Sequence, residues 1–126
     1  MKREISFRGK RLDNGEFIEG SLTVDCHGNC CIYHPLNVPI GGGFQYFDVA
    51  PETVGQFTGM TDKNGTKIFE GDIYSMGDDS IRYVVVWRKC MFIGKQIGNN
   101  SYAGLNYWES EIKKVGNIYD NKELLK

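Results

Sequence analysis

The sequence predicts a mainly β fold, on three observations. Sixteen glycines, seven phenylalanines and seven tyrosines stand against three prolines, a balance of strand formers and turn formers. The apolar runs are short and are broken by Asn-Gly or Asp/Asn clusters, as in strands joined by tight turns. Ile81 to Trp87 is a β-branched and aromatic run too short for a buried helix to be the better reading.

At 126 residues the chain is expected to fold as a single compact domain over 1–126. It divides into a β-hairpin lobe (1–50) and an SH3-like small β-barrel lobe (51–126). Folding at this size removes roughly two thirds of the unfolded surface from water, enough core without metal or crosslinks. Fifteen basic and sixteen acidic residues leave a formal charge of −1, so no global field draws the chain to nucleic acid or an anionic membrane. Met1 is followed by Lys2-Arg3-Glu4, and no run approaches the roughly 18 apolar residues of a membrane span. The expected compartment is therefore the cytoplasm, where Cys26, Cys30, Cys31 and Cys90 stay reduced.

In chain order, Asp13-Asn14-Gly15-Glu16 predicts a two-residue type I′ hairpin turn. With Asp13 opposite Glu16, Phe7 meets Leu22, Ile5 meets Val24, and Gly9 falls opposite Gly20. That glycine pair leaves a bare patch where backbone or a bulky ring can come close. A second hairpin is expected around His27-Gly28-Asn29, joining Val24–Cys26 to Cys30–Tyr33. Residues 34 to 50 hold Pro35, Pro39 and Gly41-Gly42-Gly43 and predict no long regular element. Val54–Thr58 and Thr66–Phe69 flank a longer turn ending in Asn64-Gly65. Ile81 to Trp87 is the candidate central strand, reversed by Arg88-Lys89 into Cys90–Ile93. Gly116 to Tyr119 is a closing strand. Asp120 with Glu123 forms a capping box for a short C-terminal helical turn, pinned by Leu124 and Leu125.

Four segments, Phe7-Arg8-Gly9-Lys10 with Asn14-Gly15-Glu16, Pro51 to Gln56, Phe69 to Asp72, and Gly116 to Tyr119 with Leu124-Leu125, together resemble the YopX-like family of phage and prophage proteins. The likeness covers nearly the whole chain. It implies a small, mainly β, self-associating phage protein and transfers no catalytic residue.

No constellation has the makings of a catalytic centre. Cys26, His27, Cys30, Cys31 and His34 put five zinc-type ligands within nine residues, yet no second Cys-x-x-Cys pair completes a knuckle. With Gly28-Asn29 as the turn, Cys26 sits opposite Cys31 and His27 opposite Cys30, which splits the set between two faces. A Cys nucleophile lacks the cationic or helix-terminal setting that lowers a thiol pKa. Glu70 and Asp72 read as solvated turn carboxylates, and the triple glycine lacks the following Lys-Ser/Thr of a phosphate loop. Lys2, Arg3, Arg8, Lys10 and Arg11 put five cations on the first hairpin, and aromatic residues including Trp87 and Phe92 offer stacking surface.

These observations favour a non-enzymatic, self-associating interaction module that needs no cofactor and meets a phage or host protein. The alternative is a single-strand nucleic-acid binder built on the basic first hairpin and the later aromatics. A metal- or thiol-dependent hydrolase ranks third.

Overall fold

A computed structural model describes residues 2–35, 43–106 and 110–125. Their regular structure is antiparallel strand, with two short 3-10 turns, at Pro51–Thr53 and Lys122–Leu125. The fold is mainly β, as composition and turn spacing predict. The chain divides into two compact units, Met1–Phe57 and Thr58–Lys126.

The first unit contains β1 (Phe7–Lys10), β2 (Phe17–Val24), β3 (Cys30–Pro35) and β4 (Phe44–Val49), together with the start of β5 (Gly55–Thr61). Their order is β4-β3-β2-β1-β5. Its core is Cys30, Ile32 and Val49, with Phe7, Ile18, Leu22 and Val54 packed around them. Complete burial of Ile32 contributes on the order of 1.5–3 kcal/mol.

The first hairpin forms, but in a different register. Lys10 pairs with Phe17, Phe7 with Gly20 and, by its N–H bond, Arg11 with Glu16, so the loop is residues 12 to 15, four long instead of two. The Arg11 guanidinium grips both carboxylate oxygens of Asp13 at 2.9 and 2.6 Å, drawing Asp13 out of the ladder. Arg11 N–H then bonds Glu16 O and Gly15 N–H bonds Arg11 O. Because the slip is two residues, every side chain keeps its face. Phe7 and Leu22 still join one core, while Ile5 and Val24, expected to pair, are exposed. Gly9 lies opposite Ile18, not Gly20. The space over it is filled by Val49, whose Cβ and one methyl carbon would stand 2.9 Å from a Cβ there.

The second hairpin shifts by an odd number. Val24 pairs with Cys30 and Thr23 with Cys31, leaving Asp25 to Asn29 as a five-residue loop. Residues 34 to 50 do contain a regular element, contrary to the expectation from their prolines and glycines. β3 runs through Pro35, and β4 pairs with it from Pro35↔Phe44 to Cys30↔Val49. Pro39, Gly41 and Gly42 lie outside the described residues. At its far end β4 turns back to β1: Leu12 N–H bonds Asp48 O, Ala50 N–H bonds Lys10 O, and Arg11 bridges Val49.

The second unit contains the rest of β5, then β6 (Lys67–Phe69), β7 (Asp72–Ser75), β8 (Arg82–Arg88), β9 (Met91–Gln96), β10 (Tyr102–Gly104) and β11 (Lys113–Asn117). The last five form a sheet in the order β10-β9-β8-β7-β11, with β8 central as predicted. Ile68, Tyr74, Val85, Leu105 and Ile112 are its core. The turn between β8 and β9 is Lys89-Cys90, one residue beyond the expected Arg88-Lys89, with φ of 50° and 66°.

The expected SH3-like closure is not seen: among the described residues the sheet is open. Closure would need β10 to bond β11. The outer edge of β11 is instead taken by the β5–β6 loop, since Lys114 N–H donates to Asp62 Oδ2 and Lys63 N–H to Ile112 O. The C-terminal helical turn is present, but its organisers are asparagines. Asn121 Oδ1 accepts Asn117 N–H, and Asn117 Nδ2 donates to Asp120 Oδ2. Leu125 is 41% exposed and Leu124 is half-buried.

Candidate functional site

The cysteine and histidine cluster is pulled apart by the loop that carries it. Asp25 N–H bonds Asn29 O, and Gly28 N–H bonds Asp25 O. Asp25 Oδ1 accepts the N–H groups of His27 and Asn29 at 2.8 and 2.9 Å. These bonds hold the Asp25 carboxyl below the usual carboxylate range, the Asn29 N–H first among them. Cys26 and His27 are left at the exposed loop tip. Cys30 points into the core, its thiol 3.7 Å from Gly28 O.

Cys31, paired with Thr23 and not with Cys26, lies on the opposite face. Burial, then the charge of Asp48 across the ladder, pushes its thiol up. That is the reverse of what a nucleophile needs. His34 is exposed with Nδ1 2.6 Å from Glu19 O. Among the described residues no group of three or more His, Cys, Asp or Glu side chains is placed to hold a metal.

The loop between β5 and β6 repeats the Asp25 loop bond for bond. Asp62 N–H bonds Thr66 O, Gly65 N–H bonds Asp62 O, and Asp62 Oδ1 accepts from Asn64 and Thr66 at 2.9 Å each. Gly28 and Gly65 take the same left-handed φ, +84° and +83°, which L side chains rarely adopt. The shared pattern is Asp-x-x-Gly-x. At Asp62 burial opposes ionisation, but the N–H groups of Lys114, Thr66 and Asn64 outweigh it and lower the pKa.

Glu70 and Asp72 are not an exposed carboxylate pair. Asp72 is completely buried, its Oδ2 accepting Phe69 N–H at 2.7 Å and lying 3.2 Å from Lys114 Nζ. It ties β6, β7 and β11 together.

The basic first hairpin is largely committed to its own aromatics. Arg8 is 4% exposed, with its guanidinium 4.4 Å above the Phe17 ring. Lys10 lies 4.9 Å over the same ring and donates to Gly15 O. Arg11 is clamped by Asp13 and sits 4.0 Å over Phe47. Lys2 and Arg3 are exposed. In the second unit Trp87 is exposed and meets Phe92 edge-to-face at 4.8 Å.

The feature that sequence reasoning missed is the outer strand of the first sheet. Phe44 and Tyr46 on β4 are 65% and 64% exposed, and Tyr46 packs on Tyr33 with ring centres 5.8 Å apart. A cleft of about 240 Å³ lined by Leu12, Asp13, Tyr46, Phe47 and Asp48 lies beside them. Asp48 O and Ala50 N–H point away from β3, toward β1. By strand alternation the main-chain groups of Tyr46 and Phe44 point the same way, along the part of the edge that β1 does not reach. The signal was available as alternation in Phe44-Gln45-Tyr46-Phe47-Asp48-Val49, obscured by the glycines before it.

With this geometry in place the comparisons can be read. The family model described as "YopX protein" matches residues 6–126. The chain belongs to the YopX family. The crystal structure of protein EF1440 from Enterococcus faecalis superposes on this YopX-family chain with a TM-score of 0.65 at 20% identity. The superposition covers 99% of this chain and 100% of that one, a likeness of fold. No curated protein matches. No helix among the described residues is long and apolar enough to cross a membrane.

Proposed function

We propose that this chain is a non-enzymatic interaction module of phage or prophage origin that self-associates by pairing β4 of one copy with β4 of another. The observation carrying this reading is the β4 edge, where Phe44 and Tyr46 combine exposed rings with outward main-chain donors and acceptors. Natural edge strands are usually blunted by Lys, Pro or a bulge. Phe44-Gln45-Tyr46-Phe47 carries none of these. An antiparallel two-fold pairing with Phe44 opposite Tyr46 of the second copy satisfies the outward groups of both residues and sets aromatic against aromatic on one face.

The module acts in the host cytoplasm, needs no cofactor, and presents the assembled sheet to a phage or host protein. Light scattering on the purified chain tests the association. Tyr46→Pro removes an outward N–H without touching the β3 ladder, so it shifts an oligomer toward monomer. A wild-type chain monodisperse as monomer would falsify the reading.

A further inference from the structure

From Ser80 to Asn106 the sequence holds four basic residues, Arg82, Arg88, Lys89 and Lys95, and no aspartate or glutamate. In a chain of net charge −1 this is a local excess of one sign. The second sheet gathers it on one face. Val84 pairs with Lys95, Lys95 with Tyr102, and Arg88 with Met91, so alternation puts Arg82, Arg88, Met91, Lys95 and Tyr102 on the same side. Lys113 joins them, since it pairs with Ser75 and Ser75 with Arg82. Asp78 and Asp79 precede β8, where they are engaged by Ser80 and Ser75, and Glu109 and Glu111 follow the stretch. No carboxylate from β8, β9 or β10 stands at the end of the face carrying Arg88 and Tyr102.

On that end the Arg88 guanidinium lies 4.4 Å over the Tyr102 ring and donates to its hydroxyl at 2.8 Å. The two side chains form one flat, positively charged platform. β7 pairs with β8 as far as Val84, with Gly71 N–H bonding Val85 O, and β10 pairs with β9 as far as Ile93. Only the Trp87–Phe92 and Arg88–Met91 pairs therefore form a two-stranded ribbon. Trp87, 56% exposed, emerges on the other side of that ribbon from Arg88.

We propose that the β8–β9–β10 surface binds single-stranded nucleic acid. Arg88, Lys89 and Lys95 meet phosphates, and Trp87 and the Arg88–Tyr102 pair stack unpaired bases. A strand bent over the free end of the β8–β9 ribbon meets the cations and Tyr102 on one side and Trp87 on the other, and stacking of this kind tolerates any sequence. A duplex hides its base faces and would use the charges alone. This differs from the basic first hairpin suggested by composition, where Arg8, Lys10 and Arg11 are held against their own aromatics. It stands independently of the β4 pairing.

The test is fluorescence anisotropy of a labelled oligothymidylate of about 15 nucleotides with the full chain over a range of salt. Affinity falls as salt rises, and Trp87→Ala weakens binding about tenfold. Arg88→Gln with Lys95→Gln removes two phosphate contacts without touching the core and lowers the slope of log affinity on log salt by about 1.4. Lys2→Gln with Arg3→Gln changes neither. The proposal is overturned by no salt-dependent binding, by equal affinity for duplex or heparin, by a double variant with the wild-type slope, or by loss of binding in the Lys2/Arg3 variant.

Discussion

Gly94 on β9 lies directly over the Tyr74 hydroxyl: a Cβ added at Gly94 would stand 1.8 Å from Tyr74 Oη. The phenol is fully buried, stacks on Tyr83 at 5.4 Å, and its oxygen has no hydrogen-bond partner among the described residues. Burial, followed by the neighbouring Tyr83, pushes its pKa far above the ordinary phenol range. Gly94→Ala therefore forces the ring or the strand to move and costs about 1–3 kcal/mol or more. Tyr74→Phe deletes an unsatisfied hydroxyl, so it is neutral or stabilising by about 1 kcal/mol, and it recovers part of the Gly94→Ala loss. Denaturant midpoints of the two single variants and the double variant measure this; additive effects would refute the contact.

Asp62 organises the β5–β6 loop and the edge of β11 through three accepted N–H bonds. Asp62→Asn sets an amide against at least one of those donors and destabilises by about 1–3 kcal/mol. The folded pKa lies below the ordinary 3.8. Its contribution is therefore complete above the unfolded value and is lost as pH falls through the folded one. Urea unfolding at pH 7 and pH 3 checks the sign: the gap between wild type and Asp62→Asn narrows in acid.

Lys89 and Cys90 both hold positive φ in the β8–β9 turn, a conformation that suits Asn-Gly. Lys89→Asn with Cys90→Gly relieves that strain and raises stability by roughly 1–2 kcal/mol. A thermal melt that moves downward would contradict the turn assignment.

The four cysteines are free thiols in three settings. A thiol-reactive dye should label exposed Cys26 and Cys90 first. Half-buried Cys31, its thiol pKa raised by burial and by Asp48, follows, and core-facing Cys30 reacts only after unfolding. Fast labelling of Cys30 in the native protein would show that the Ile32 and Val49 core is misassigned.

Much of the fold was legible where a local rule acted alone. Asn64-Gly65 marked its loop, and the β-branched run from Ile81 to Trp87 marked the central strand. Register failed where side chains bonded one another or the backbone. Neither the Arg11–Asp13 grip nor the Asp25 carboxylate on two N–H groups is visible in a turn motif, and each lengthens its loop. β4 was missed because the glycines before it read as a connector. Barrel closure was over-read because Glu70-Gly71-Asp72 looks alike in open and closed sheets; what keeps this one open is a contact from Asp62, 52 residues before Lys114.

In both Asp-x-x-Gly-x corners the second and third residues contribute only main-chain atoms to the corner's own hydrogen bonds. Evolution, or an experimenter, is free to rewrite them. Cys26 is thus a natural anchoring point for a spectroscopic reporter, and Lys63-Asn64 offers a second port with the same local frame, one in each unit of the molecule.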